Sequence, residues 1–481
     1  MDRKRKEKIF ARFGAAFIKI RTALKVNHGC LCELVKAIRR FRYIRPLKKY
    51  ERYSVFSGEW VDVTEDGIIN TIKRVALAVV PVGYDRGQIN MLLTFAVLAD
   101  IARLFRVSVG VDTLPLPPCR FIHLRDCLLI FVNGSKTFEP VPFSPDFNSR
   151  NRIDLPYSPT AKKCPTRFIN ELILPMLKNK DDLLLIQVYF GQCLLHENIS
   201  QTFLIISGPA EIGKSVLVNI IEAILGKDNV TELHPERLTS PFELAEYASK
   251  SLLTAKDVEN DALSANKINA LKKLTGNDQL AAEQKNRNTR IYVRGSFNII
   301  ITGNGDLTLN LGSSRDAFKR RMIWIDCQKP ENFKRIEGFD RLLLDEEKES
   351  ILAWGIEGAS KLLAAGGIIT KGDEQERALE YLLGESAPVE TFIKACVKYD
   401  PDNSIASQEI VPAFYQFTRD IGWNNAAVLS LTSRQIEQRF CQAMLRLHPE
   451  CPPSTKIKIN GTTKELRGYK HCKIIPIEHK V

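Results

Sequence analysis

From Phe203 to Ser207 the chain is almost continuously apolar, and from Val216 onward apolar residues return at helical spacing. Val216, Leu217, Ile220, Ile221, Ile224 and Leu225 make one helix face, which Gly226 ends. A short unbroken apolar run predicts a strand covered on both faces, so this stretch predicts strand, turn and helix. Buried-type runs recur at Ser251 to Ala255, Phe297 to Thr302 and Met322 to Asp326. Ahead of them, Thr166 to Leu177 and Asp181 to Leu195 carry apolar residues at helical spacing, a helical collar. Behind them, Asp345 to Ala365 presents Ile351, Leu352, Ala359, Leu362 and Leu363 on one face and stops at Gly366-Gly367.

The ends of the chain follow other patterns. Residues 1–52 read as a basic helix with Phe10, Phe13, Phe17, Ile18 and Ile20 between the charges. Residues 53–150 alternate short strand-like and helical pieces, a small α+β domain closed by the Pro140, Pro142 and Pro145 connector. The collar then occupies 151–200, an α/β core 201–330, and lid helices with a linker 331–387. Residues 388–481 are expected to be helical until Leu447. Thr432 or Ser433 caps a helix from Arg434 to Leu447 that buries Ile436, Phe440, Ala443 and Leu447. KIKIN and ELRGYKHCKII flank Asn460-Gly461 as a hairpin. Helix followed by basic hairpin predicts a winged helix; a helical subdomain with a solvated charged face is the alternative.

Charge sharpens this picture. Residues 1–52 hold 17 Lys/Arg and 4 Asp/Glu, an excess of 13 that equals the formal charge of the 481-residue chain. The basic character therefore belongs to one segment, suited to phosphate backbones and to salt-sensitive binding. A solvated helix or an organelle transit peptide is the other reading, against which stand Asp2 and Glu7. With 44% hydrophobic residues, no apolar run approaches the ~20 residues of a membrane span. The 11 cysteines are scattered. His28, Cys30 and Cys32 lie close together without a second ligand pair, so ordinary thiols in a reducing intracellular compartment are expected, not a metal centre.

The turn after Phe203 to Ser207 carries the chemistry. Gly208, Pro209, Ala210, Glu211, Ile212, Gly213, Lys214 and Ser215 make the G-x4-G-K-S phosphate-loop pattern. Its glycines let backbone N–H groups face a polyphosphate, and the helix beginning near Lys214 aims its positive dipole end at the same anion. Lys214 is expected on β/γ oxygens and Ser215 on Mg²⁺. Downstream, Asp257 and Glu259 end the second strand; Asp257 is the metal-side acid and Glu259 the base, although the roles could be exchanged. Asn304, after the next strand, can orient a water near the γ-phosphate. Arg321, with Arg320 as alternate, can reach a neighbouring subunit's γ-phosphate, a role that demands a ring.

This order resembles the superfamily 3 helicases, and within them the phage and plasmid primase-helicases that share a region with the poxvirus primase-helicase. The resemblance covers roughly Cys127 to Tyr469. It rests on Asn133-Gly134, Leu155-Pro156-Tyr157, Cys164-Pro165, Leu274-Thr275-Gly276-Asn277-Asp278, Glu283-Gln284-Lys285, Thr302-Gly303-Asn304, the Arg-Arg pair before a strand, ESILAWGIEGASKLLAAGG and a late RGY. It implies an AAA+-like P-loop ATPase core with a collar and a C-terminal winged helix, using ATP and Mg²⁺. It also implies a homo-oligomer, a hexamer, acting on DNA in replication of a phage, plasmid or related element. Leu280 to Arg294 would include a hairpin lining a central channel for single-stranded DNA, with Lys285, Arg287 and Arg290 on its backbone. The basic N-terminus and the wing would engage duplex or fork. An ATP-hydrolysing initiator or loader that does not unwind is the other functional reading.

Two departures stand out: Ile212 where relatives often have Asn, and Lys256 where some have a second carboxylate. About 125 residues precede the matching region, too few for the usual primase domain, so a separate primase is an expected partner.

Overall fold

A computed structural model describes residues 3–476 apart from 115, 239, 259–264, 284–289, 305–314, 332–334, 424–427, 429–430 and 460–461. At its centre lies a five-stranded sheet in the spatial order Val230–Glu232, Leu252–Val258, Asn298–Asn304, Phe203–Gly208, Met322–Asp326. Every pairing in it is parallel. Side chains alternate between the faces of a strand, so each run feeds two cores. Leu204, Ile206, Ile300, Ile323 and Ile325 enter one core, and Phe203, Ile205, Ile299, Ile301 and Trp324 enter the other. That double burial is why these strands read as unbroken apolar runs.

The first core joins the sheet to the helices Asp182–Leu194, Lys214–Leu225 and Phe339–Ala364. Glycines set the closeness of Asp182–Leu194 and Phe339–Ala364: a Cβ on Gly191 would stand 2.0 Å from the Ala359 nitrogen, and one on Gly358 2.1 Å from the Gln187 carbonyl oxygen. The longer helix ends where Gly366 and Gly367, both at positive φ, fold their N–H groups back on Leu363 and Leu362. The earlier collar helix is π-helical over Phe168–Ile173 and α-helical over Leu174–Met176. On the second core lie Ala265–Thr275, Arg315–Arg321 and Asp373–Ser386.

The N-terminal segment departs from expectation. Residues 1–52 are not one basic helix: Arg3–Phe13 and His28–Ile38 are helical, while Phe17–Ile20, Ala23–Val26, Phe41–Ile44 and Lys49–Tyr53 are strands. The last two join Trp60–Val63 and Gly110–Val111 in a four-stranded sheet. A single apolar core runs from Ala16 to Phe105, across the boundary expected at residue 52. The strand Phe41–Ile44 was masked by the arginines in and around it, Arg39, Arg40, Arg42 and Arg45, of which Arg42 is buried. Arg42 pairs with Glu51 at 2.7 Å and stacks 3.8 Å over the Trp60 ring. The antiparallel strands Phe121–His123, Leu128–Val132 and Thr137–Val141, expected to belong with residues 53–150, send Ile122, Leu129 and Phe138 into the central core instead.

The C-terminal unit runs helix Pro388–Cys396, strand Val397–Ala406, helix Ser407–Asp420, helix Ser433–Leu447, then short strands. Thr432 caps the last helix in a capping box with Gln435, and Ile436, Phe440 and Ala443 are buried on it, with Leu447 partly so. Val397–Ala406 interrupts the expected helical stretch because Gly468–Ile474 pairs with it and with Pro453–Ser454. The hairpin around residues 460–461 is therefore Ile457–Ile459 with Thr462–Lys464, and the GYKHCKI run is not its second arm. Among the described residues no helix is long and apolar enough to cross a membrane.

Candidate functional site

The site grows from the end of Phe203–Gly208. Gly208 sits at φ +154 against the next strand's end, where a Cβ would meet the Cys327 carbonyl oxygen at 2.6 Å, so a side chain has no room. Gly213, at φ +105, opens the helix Lys214–Leu225, and a Cβ there would lie 2.8 Å from Cδ1 of Leu172 on the π-helical collar turn. Pro209, Ala210 and Glu211 are exposed between them, Glu211 in left-handed backbone and ion-paired to Arg335 at 3.3 Å. Ile212 is buried in the central core. Its apolar side chain anchors the loop, which accounts for the absence of a polar residue there.

No side chain caps the first turn of Lys214–Leu225. Its leading N–H groups and dipole end thus face the loop, the arrangement that suits an anion. Lys214 is 3% exposed, and its Nζ donates to the carbonyls of Gly208 at 2.9 Å and Pro209 at 2.5 Å and to Oδ1 of Asn304 at 3.1 Å. Burial lowers its pKa, opposed by Cys327 and Asp257.

Topology supplies the remaining groups. Asn298–Asn304 inserts between the strands that precede it, pairing Gly208 with Asn304 on one side and Val258 with Gly303 on the other. Asp257 stands at an irregularity in that second ladder, at φ +53, with its N–H donated to Thr302 Oγ1 at 3.0 Å. Its carboxylate accepts from Asn304 Nδ2 at 3.2 Å. One side chain, Asn304, therefore bridges the lysine and the acid. Lys256 points elsewhere: its ammonium bonds Glu222 and Asn219 of the Lys214–Leu225 helix, both at 2.7 Å. A cleft of about 1010 Å³ opens over Lys214, Ser215 and Asp257, walled by Leu172, Arg335 and Asp340. Ser215 and Asp257 present hard oxygen donors to the same space, the donor type a Mg²⁺ ion takes.

Other expected residues lie apart or beyond view. Glu259, Lys285 and Arg287 fall outside the described residues, and Arg290 begins the strand Arg290–Arg294. That strand pairs antiparallel with Gln279–Glu283, so a hairpin occupies the expected place. Arg320 and Arg321 end the helix Arg315–Arg321, just before Met322, which pairs with Phe203. They are at the opposite edge of the sheet from the Gly208–Ser215 loop, about 17 Å away at the rise of a strand. Arg320 is exposed. Arg321 is half-buried, its Nε without an acceptor among the described residues, and burial lowers its pKa while Asp278 opposes.

Sequence reasoning missed Leu172, Arg335 and Asp340, and read Thr302 only as part of the Thr302-Gly303-Asn304 run. Leu172 contacts the loop only because a π-turn swings it there, and Arg335 stands in a polar connector without any pattern. Thr302 was legible, since it is the strand residue facing the acid two positions before Asn304.

Comparison with known proteins follows this geometry. A family described only as a family of unknown function (DUF5906) matches residues 206–321, from inside the loop strand to Arg321. The uncharacterized mitochondrial protein ymf21 of Marchantia polymorpha is 29% identical over 137 residues, 26% of this chain and 74% of that protein. Two apo structures of the NrS-1 C-terminal region superpose with a TM-score of 0.50 at 12% and 13% identity, each covering 91% of this chain and 98% of that one. At such identity the likeness is one of fold.

Proposed function

We propose that this chain is an ATP-dependent DNA helicase of the superfamily 3 type, a replicative ring of a phage, plasmid or related mobile element. The observation that carries the reading is the convergence of Lys214, Asp257 and Asn304 at the carboxyl ends of three adjacent parallel strands, over an uncapped helix N-terminus. Carboxyl-edge clefts where strand order reverses are where open α/β sheets take ligands.

In this reading Lys214 exchanges its loop carbonyls for β/γ oxygens of ATP, and loop N–H groups hold the phosphates. Ser215 and Asp257 hold Mg²⁺, whose contribution is to neutralise charge on the transferring phosphoryl group. Asn304 orients the attacking water, and Glu259 or Asp257 accepts its proton. Arg321, with Arg320 as alternate, stands at the edge remote from its own nucleotide, which suits a guanidinium serving a neighbour. Such head-to-tail supply repeats around a closed ring, a hexamer. The Gln279–Arg294 hairpin, with Lys285, Arg287 and Arg290, grips a single strand in the channel. The basic N-terminal unit and the winged-helix-like C-terminal unit add salt-sensitive affinity for duplex or fork.

The test is strand separation on forked DNA with ATP and Mg²⁺, wild type against Lys214→Ala. Wild type is expected to hydrolyse ATP and separate strands and the variant to do neither; a wild type inactive in both sinks the proposal. DNA-stimulated hydrolysis without strand separation would instead favour an initiator or loader.

A further inference from the structure

The arginine pair is held from behind by a segment with no expected role in the chemistry. The helix Arg315–Arg321 ends at the edge strand Met322–Asp326, so its last carbonyls lack intrahelical donors. Lys371, between Phe339–Ala364 and Asp373–Ser386, supplies them: its Nζ donates to the carbonyl of Lys319 at 2.5 Å and to that of Arg320 at 3.4 Å. Four residues on, the Gln375 amide accepts from the Trp324 N–H at 3.0 Å and donates to the Trp324 carbonyl at 2.5 Å. This side chain, 3% exposed, pairs with the free side of the last strand as a neighbouring peptide would. Glu376 and Glu380 then hold the Lys319 ammonium at 2.9 and 2.8 Å.

Three successive features of 319–324 are therefore gripped from 371–380: the helix end, the lysine before the arginines and the strand after them. The guanidinium groups of Arg320 and Arg321 take no part in these contacts. Withdrawing an ammonium from water is costly, and burial accordingly brings the Lys371 pKa down to about 8, against the pull of Glu376 and with the push of Lys319. A surface helix end needs no such group, because water can serve its carbonyls. What the grip does fix is the direction in which the chain leaves the helix at Arg321.

We infer that Lys371 and Gln375 are positioning residues for Arg321, aiming its guanidinium at the neighbouring subunit's nucleotide. This rests on the trans-acting role given to Arg321 above.

The experiment compares wild type, Arg321→Ala, Lys371→Met, Gln375→Ala and the double variant R321A/K371M. Steady-state ATP turnover is read beside the Kd of a fluorescent ATP analogue. Lys371→Met and Gln375→Ala are each expected to lower kcat about tenfold with Kd within about threefold of wild type. The double variant is expected to fall no lower than Arg321→Ala alone, because the lysine acts through the arginine. Turnover within about twofold of wild type in both single variants overturns the inference, as does a double variant whose loss is the product of the single losses. So does loss of nucleotide binding in both, which marks a general structural role. If Arg321→Ala loses turnover while Lys371→Met and Gln375→Ala keep it, only the positioning claim falls. If Arg321→Ala itself turns over like wild type, the arginine assignment falls and the positioning claim with it.

Discussion

The Asn304 amide oxygen accepts a hydrogen bond from the Lys214 ammonium at 3.1 Å, while its NH₂ donates to the Asp257 carboxylate at 3.2 Å. A side chain that contacts both cation and acid sets their separation without carrying charge itself. Asn304→Ala is expected to leave nucleotide affinity within about threefold and to lower kcat about 100- to 1000-fold, the usual scale for losing one oriented polar group. Parallel ATP-binding and hydrolysis assays check it. Equal losses in both would mean that Asn304 only holds the loop together.

Arg321 lies at the sheet edge remote from the Gly208–Ser215 loop of its own chain. If it serves a neighbour, Arg321→Ala subunits bind ATP normally yet disable the adjoining site in a mixed ring. Titrating the variant into wild type is expected to depress turnover more steeply than the wild-type fraction falls. Strict proportionality would remove the trans role.

Gly358 and Gly191 bring two helix backbones into contact, the Gly358 position standing 2.1 Å from the Gln187 carbonyl oxygen for any added Cβ. Gly358→Ala forces those helices apart and is expected to destabilise the collar by about 1–3 kcal/mol. Urea titration followed by tryptophan fluorescence suits the measurement, since Trp354 lies on the same helix. An unchanged midpoint would count against close backbone packing.

Asp182 is buried and its carboxylate accepts from Gln375 Nε2 at 3.1 Å. Burial first, then Asp326, Asp181 and Glu374, push its pKa from 3.8 up to about 6, with Gln375 opposing. A raised acid pKa means the folded state binds the proton more tightly, so the stabilisation is full below 3.8 and lost as pH rises through about 6. The Tm of wild type minus that of Asp182→Asn is therefore expected to grow as pH is lowered from 7 towards 4. A flat difference would refute the shift.

The loop strand, its turn and its helix were legible because their chemistry is local: an apolar run, glycines at fixed spacing and a helical period. The adjacency of Asn304 to both Lys214 and Asp257 was not, since it depends on Asn298–Asn304 slotting between Phe203–Gly208 and Leu252–Val258. Nothing in a linear pattern states that order. The basic N-terminus misled for a physical reason as well. Counting charges located the positive segment, but Arg42 is neutralised by Glu51 inside a sheet, and dense arginines hid the strand period. In the C-terminal unit the sequence left Thr432 or Ser433 as the cap, and the structure takes Thr432 with Gln435 as its capping-box partner. The partner of Gly468–Ile474 lies more than sixty residues away, in Val397–Ala406, beyond the reach of any turn signal.

The 26-residue helix Phe339–Ala364 is a tie rod about 39 Å long. At its near end Asp340 accepts from Asn219 of the Lys214–Leu225 helix at 3.0 Å, and further along the Trp354 carbonyl and Lys361 both hold Gln187 of the Asp182–Leu194 helix. Gly355 and Gly358 seat its second half closely against Asp182–Leu194. A stiff bar pinned this way tilts as one piece. A displacement of the Lys214–Leu225 helix by a fraction of an ångström would therefore reach the Ala364 end, where Gly367 abuts Ile199. Leverage of this kind would carry a small local step along the full length of the rod.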